Sequence, residues 1–277
     1  MSGAQVASGR LPGAEVLRAA RAGGYAVAAF NAVNLETAQA VVGAAEAQRA
    51  PVILQFSQNA ARHAGLAQLA ALGLCLKRSA RVPVVLHFDH AETPRAAREA
   101  LELGFEGVML EEGDPEVLRP LAEAAHAAGG FLEAEYEVVT KGERHGERRD
   151  DPGELGRFAR ESGCDLLAVD LGSVHKGETK TARLDFARLE ALATQTPLPL
   201  VLHGASSVPE EDLMRAARLG VAKVNLATDL TLAFTGAVRE ALAGGAKDPR
   251  AYLHAGRSAM QARAEHYIRL LGGAGRA

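Results

Sequence analysis

Eight times along the chain a short, almost unbroken apolar run gives way to a stretch with helical spacing. The runs are residues 25–30, 51–56, 83–89, 107–110, 131–138, 166–171, 198–203 and 222–227. A strand with one wet face alternates apolar and polar residues. These do not, so they read as strands covered on both faces, as in a parallel sheet flanked by helices. The intervening segments are alanine-rich, among them 36–49, 93–103, 115–128 and 210–219. Ala and Leu form helices readily, and Leu213, Ala216, Ala217 and Gly220 share one face of the last of these. Alternation of strand and helix predicts an α/β fold, and eight units predict a closed (β/α)8 TIM barrel; a doubly wound open sheet is the other arrangement that fits the same periodicity. Residues 249–271 predict an extra C-terminal helix beyond the eighth unit. The 277 residues suit a single domain over 1–277, close to the roughly 250 residues such a barrel needs.

Composition narrows the function classes. With 48% hydrophobic and 23% charged residues, the chain can bury a large core. A net charge of −3 gives no electrostatic reason to expect nucleic acid or an anionic membrane as partner. No apolar run approaches the ~18 residues of a membrane span, and residues 1–13 hold no apolar signal core. A soluble, cytoplasmic protein is expected. Two cysteines, Cys75 and Cys164, are too few for a disulfide framework and read as small buried thiols. Residues 140–153 are highly charged, hold Gly142, Gly146 and Pro152, and read as a mobile loop after strand five.

In a barrel of this kind chemistry gathers at the C-terminal ends of the strands. His87, Asp89 and His90 end strand three, and Glu133 and Glu135 lie on strand five. His175 follows strand six, His203 ends strand seven, and Asn225, Thr228 and Asp229 close strand eight. His90, His175 and His203 can converge on one ion. Neutral imidazoles suit Zn²⁺, and three protein ligands with one open position make a catalytic site. His87 and His126 read as structural, and His63, at the start of a helix, as exposed. Neighbours in a strand point to opposite sides, so Asp89 and His90 share one job only where the strand is ending. There Asp89 is either a general acid/base or a group orienting a histidine. Glu133 and Glu135 share one strand face, with Leu132, Ala134 and Tyr136 on the other. Carboxylates inside a barrel are costly unless they bind cations or accept hydrogen bonds. The pair are therefore metal-ligand or proton-transfer candidates, or ion-pair partners of the barrel's own lysines or arginines. The small and hydroxyl residues at 204–207 and 225–229 suit a phosphate held at helix N-termini, or simple helix capping by Ser207 and Thr228.

At these residues the sequence resembles the class II, metal-dependent ketose-bisphosphate aldolases over almost the whole chain. The resemblance runs through Ala29-Phe30-Asn31, Asn34-Leu35-Glu36 and Pro51-Val52-Ile53-Leu54-Gln55. His87-Phe88-Asp89-His90 is similar to the family's HLDH, Leu200-Val201-Leu202-His203-Gly204-Ala205-Ser206 to its LVLHGxS, and Lys223-Val224-Asn225-Leu226-Ala227-Thr228-Asp229 to its KxNxxTD/E. The resemblance implies a carbon–carbon lyase that cleaves or condenses a fructose- or tagatose-1,6-bisphosphate type of ketose through the enediolate of dihydroxyacetone phosphate. It implies His90, His175 and His203 as zinc ligands, Asp89 as the group that exchanges a proton with the C4 hydroxyl, and Asn225 as a contact to the dihydroxyacetone phosphate part. Gly204, Ser206 and Thr228 would hold its phosphate. Glu135 matches the family's ELG glutamate, and Glu133 the acidic residue before it, associated with alternative metal positions; a second or monovalent cation and a homo-oligomer are further expectations. Three segments depart from the pattern. The family's GTxHGxYKG is a shorter Gly172-Ser173-Val174-His175-Lys176-Gly177 that offers Lys176 as a phosphate contact. ELGxxGG is replaced by Glu135-Tyr136-Glu137-Val138-Val139, leaving Glu143 and Glu147 as stand-ins for an acid, and VMIDGS becomes Val108-Met109-Leu110-Glu111-Glu112-Gly113. Another sugar-phosphate aldolase, a metal-dependent sugar isomerase and a non-catalytic metal-binding barrel are the alternatives.

Overall fold

The computed structural model describes residues 13–136, 140–141, 154–175 and 179–277, with the backbone alone at 140, 141 and 175. Strands β1 (Val27–Asn31), β2 (Val52–Ser57), β3 (Val84–Ala91), β4 (Gly107–Leu110), β5 (Phe131–Glu135), β6 (Leu166–Ala168), β7 (Leu200–Leu202) and β8 (Val221–Leu226) pair in parallel, each with its neighbours in sequence. β8 returns to β1, placing Val27 opposite Lys223 and Ala29 opposite Asn225. That last pairing closes the barrel and excludes the open doubly wound sheet.

The absence of alternation in the strand sequences now has its cause. One face of each strand meets helices through residues such as Phe30, Leu54, Leu86, Leu132, Leu202 and Val224. The other face fills the barrel with Val27, Ala29, Ile53, Val85, Phe131, Leu166, Ala168 and Val201. Toward the C-terminal ends the same inward positions become polar yet stay buried, as Gln55, His87, Asp89, Glu133, Glu135, Lys223 and Asn225. The barrel is thus apolar at one end and polar at the other, and the polar end holds the residues expected to carry the chemistry.

The apolar end is sealed by α1 (Gly13–Ala22), an element the strand–helix count does not include. Val16, Leu17 and Ala20 enter the inner core. Arg21 fastens the helix by donating to the carbonyl oxygens of Ala193 at 2.8 Å and Thr196 at 2.7 Å, and to that of Leu198. The helices outside the barrel are α2 (Leu35–Gln48), α3 (Gln58–Ala64), α4 (Leu66–Ser79), α5 (Pro94–Glu102), α6 (Pro115–Ala127), α7 (Glu154–Ser162), α8 (Phe186–Gln195), α9 (Glu210–Arg218), α10 (Thr228–Ala243) and α11 (Pro249–Leu270). Several start where the sequence signals it. Asn34 and Thr37 form a reciprocal capping box on α2, and Thr93-Pro94, Asp114-Pro115 and Asp248-Pro249 place a side-chain cap before a proline that needs no N–H. The predicted C-terminal helix is α11, which packs along α2 and α10.

Some expectations are corrected. Strands five, six and seven are shorter than the apolar runs that announce them, because a run covered on both faces does not mark where ladder pairing stops. Within the charged stretch 140–153, Thr140–Lys141 pairs in parallel with Val174–His175; residues 142–153 lie outside the described ones. Cys75 is exposed on α4 rather than buried, whereas Cys164 is buried and desolvation pushes its thiol up to about 12. His63 is exposed, in the last turn of α3 and not at a helix start. Among the described residues, no helix is long and apolar enough to cross a membrane.

Gly107 on β4 shows how tightly the barrel is filled. A Cβ there would lie 2.3 Å from Phe131 and 2.5 Å from His87, two rings that tilt together with centroids 5.8 Å apart. We expect Gly107→Ala to cost about 1–3 kcal/mol, the usual range for forcing a methyl group into a packed core. Thermal unfolding checks this, and an unchanged Tm would show that the two rings yield.

Candidate active site

The polar end is organised by a kink in β3. The β3–β4 register shifts between Phe88 and Ala91, and His90 adopts φ = 56°, a left-handed conformation that side chains bearing a Cβ rarely take. This breaks strand alternation where it matters, so Asp89 and His90 both face one cavity of about 560 Å³ at the barrel mouth. Held backbone strain of this kind is a feature of functional sites.

Asp89 is almost fully buried beneath three side-chain amides. Asn31 Nδ2 donates to its Oδ2 at 3.0 Å, Gln55 Nε2 to the same oxygen at 3.3 Å, and Asn225 Nδ2 to Oδ1 at 3.4 Å. Gln55 also donates to Asn31 Oδ1 at 2.9 Å, fixing both amides. Burial pushes the Asp89 carboxyl upward, but His90, Lys223 and His203 outweigh it and hold the group well below the usual carboxylate range. Asp89 is therefore an ionised acceptor at neutral pH.

Beneath it lies a buried quartet of ionisable side chains. Lys223, fully enclosed, donates to Glu133 Oε2 at 2.6 Å, and His203 Nε2 meets Glu133 Oε1 at 2.8 Å. His87 Nε2 lies 3.3 Å from Oε2. Desolvation opposes the Glu133 charge, yet Lys223 and the contacts to His203 and His87 keep it well below its ordinary pKa. His87 is driven toward its neutral form by burial first and by Lys223 second. Both Glu133 oxygens thus have partners among the described residues, Lys223 and His203, as the ion-pair reading of this residue expects. The 2.8 Å contact to the Glu133 carboxylate orients the His203 ring through Nε2, a nitrogen that Asn225 Nδ2 also approaches at 3.3 Å. His90 is held the same way by its other nitrogen, Nδ1 lying 2.6 Å from Glu111 Oε1. The His90 and His203 rings meet edge-on with centroids 5.1 Å apart.

His175 ends the short Val174–His175 strand, but its side chain, like Lys176, Glu143 and Glu147, lies outside the described residues. Among the described residues no three His, Cys, Asp or Glu side chains gather at metal-binding spacing. Two of the three expected ligands, His90 and His203, do come together, each with its ring nitrogen fixed by a carboxylate. Glu135 is buried with Oε1 lacking any hydrogen-bond partner among the described residues. An orphaned carboxylate oxygen and paired imidazoles are the donor chemistry a divalent metal needs.

Gly204, Ser206, Asn225 and Thr228 line the other side of the cavity. Gly204 sits at φ = 67°, a left-handed turn that leads into the 3-10 segment Ala205–Ser207. Neither that segment nor α10 has a side-chain cap at its N-terminus. Ser207 instead donates to the Gly204 carbonyl at 2.8 Å and accepts from Val174 N at 2.9 Å. The capping alternative is therefore not realised, and residues of the two helical starts, Gly204, Ala205, Ser206, Ala227 and Thr228, line one cavity. Asn31, Gln55, Glu111 and Lys223 are site residues that the motifs carried along without assigning. Their signal was two-residue periodicity: each of Asn31, Gln55 and Lys223 is a polar residue at an inward position of an otherwise apolar strand.

The model of the class II fructose-bisphosphate aldolases matches residues 12–276. The chain belongs to that family. It is 38% identical to the fructose-bisphosphate aldolase of Thermus caldophilus, over 96% of this chain and 99% of that one. It is equally similar, at 38%, to the fructose-bisphosphate aldolase of Geobacillus stearothermophilus, over 95% and 97%. Among solved structures, the YdjI aldolase of Escherichia coli K12 superposes with a TM-score of 0.83 at 28% identity, covering 96% of this chain and 99% of that one. Class II aldolases are metal-dependent carbon–carbon lyases, and this chain is an aldolase of that class.

Proposed function

We propose that the chain cleaves and re-forms a ketose 1,6-bisphosphate at this mouth, with dihydroxyacetone phosphate as the shared product. The observation that carries the reading is the placing of a buried, ionised Asp89 between paired histidines and two uncapped helical N-termini. The phosphate of the dihydroxyacetone half lies over Gly204, Ser206 and Thr228, where the helical starts and the α10 dipole favour an anion. His90 Nε2 and His203 Nδ1, with His175 as third ligand, would hold zinc, which supplies Lewis-acid polarisation of the ketone. Glu111 and Glu133 orient the two imidazoles, and Lys223 keeps Glu133 ionised. Asn225 both orients Asp89 and contacts the dihydroxyacetone part. In cleavage Asp89 accepts the proton of the C4 hydroxyl, and in condensation it returns it. Glu135, with an unengaged buried oxygen, is suited to the other proton exchange, at carbon. A site drawing on β1 through β8 supports one working domain.

A coupled assay for released dihydroxyacetone phosphate, run over ketose phosphates with and without EDTA, tests the reading. Turnover abolished by EDTA and restored by zinc is expected; activity only as ketose–aldose interconversion would favour an isomerase, and metal binding without turnover a non-catalytic barrel. Ser206→Ala and Thr228→Ala should each raise KM for the phosphorylated ketose. Equal kcat/KM for phosphorylated and free sugars would end the phosphate assignment. Elemental analysis of His203→Ala should show most zinc lost, and full occupancy would remove His203 from the ligands.

A further inference from the structure

Three segments that follow the last three barrel strands are pinned to one place on the C-terminal helix. Lys180 follows the His175 segment after β6, Glu210 opens α9 after β7, and Asp229 lies in the first turn of α10 after β8. Between them they meet Arg263, His266 and Tyr267 of α11. The Tyr267 hydroxyl donates to Asp229 Oδ2 and accepts from Lys180 Nζ and Arg263 Nη2, each at 3.2 Å. Arg263 also donates to Asp229 Oδ2 at 2.9 Å and to Glu210 Oε1 at 3.4 Å. Lys180 reaches Glu210 Oε1 at 3.0 Å and Asp229 Oδ2 at 3.5 Å, and His266 Nε2 meets Glu210 Oε2 at 2.9 Å. The Tyr267 ring, fully buried, packs under both cations, with Lys180 Nζ 5.4 Å and the Arg263 guanidinium 4.7 Å from its centre.

We infer that Arg263 and Tyr267 are positioning residues for the phosphate end of the substrate, acting through Asp229 and Lys180. The inference rests on the phosphate reading above. Asp229 stands one residue beyond Thr228, at the helix start where the phosphate is to lie, and a free carboxylate there would repel it. Arg263, Lys180 and the Tyr267 hydroxyl all engage that carboxylate and match its charge, and Asp229 is not among the residues lining the cavity, so it does not compete with an anion there. The same contacts set the α10 start against the β6 and β7 segments. Loss of the network leaves the proton-transfer group Asp89 untouched, since none of these residues contacts it. The expected signature is therefore weaker phosphate binding at constant chemistry.

Tyr267→Phe keeps the buried ring and removes only the hydroxyl, and Arg263→Gln removes the charge; Arg263→Lys serves as the conservative rescue. Steady-state kinetics on a ketose bisphosphate and competitive inhibition by inorganic phosphate are measured on the zinc-loaded enzymes, with circular dichroism as the check on folding. Both KM and the phosphate inhibition constant should rise about tenfold in Tyr267→Phe and Arg263→Gln, with kcat within twofold of the parent, and Arg263→Lys should recover most of the loss. Should Arg263→Gln fail to fold, Tyr267→Phe decides alone. Inhibition of the parent by phosphate that is unchanged in the variants, or a fall in kcat at constant KM, overturns the inference while leaving the phosphate site standing. A parent enzyme indifferent to phosphate overturns both.

Discussion

Lys223→Met should lower the melting temperature by on the order of 10 °C and abolish most activity. Lys223 and Glu133 are both fully buried, 2.6 Å apart. Removing one partner of a buried ion pair strands the other as an uncompensated charge, which costs about 3–5 kcal/mol, and each kcal/mol is worth roughly 2–4 °C in a chain of this size. Activity falls for a separate reason. With Lys223 gone, burial drives Glu133 toward its neutral form, which weakens the contact that orients the His203 ring through Nε2. The double variant Glu133→Gln/Lys223→Met separates the two effects, since it carries no stranded charge. It should regain most of the stability but not the activity. Differential scanning calorimetry decides: a double variant as unstable as the single one would show that packing of the lysine stem, and not the charge pair, sets the cost. The pair also fixes a pH dependence. Glu133 has its folded pKa depressed, so its contribution is complete above its unfolded pKa and is lost as pH falls through the lower folded value.

Asp89→Asn should reduce kcat on the order of 10²–10⁴-fold, the range of a lost general acid/base, with zinc retained. The substitution keeps the shape but replaces the one acceptor that Asn31, Gln55 and Asn225 all address. Four amides then share a pocket built around an anion, so local order suffers together with proton transfer. Metal content measured beside turnover discriminates the roles. Near-native kcat would remove Asp89 from the chemistry. Loss of zinc in step with activity would make it a partner that orients His90, from which its Oδ2 lies 3.8 Å.

By itself the sequence determined the strand and helix succession, because two-sided burial writes unbroken apolar runs and exposed helices write alanine-rich amphipathic ones. It also determined at which ends of the strands polar residues gather, since they stand at inward positions of strands that are otherwise apolar. Closure of the barrel was decided only in three dimensions, by the pairing of β8 with β1, which no local pattern encodes. The plug α1 was equally invisible, because a ten-residue helix looks ordinary until the barrel end it fills exists. Within the site, sequence spacing placed His90 and His203 at equivalent strand ends, but not the left-handed turn at His90 that lets it share a cavity with Asp89. Nor could it choose between metal and lysine for Glu133, since both satisfy a buried carboxylate. Nor could it show which lysine reaches Glu133: Lys223 comes from a strand 90 residues further along the chain, and only closure of the barrel brings its Nζ to the Glu133 oxygen.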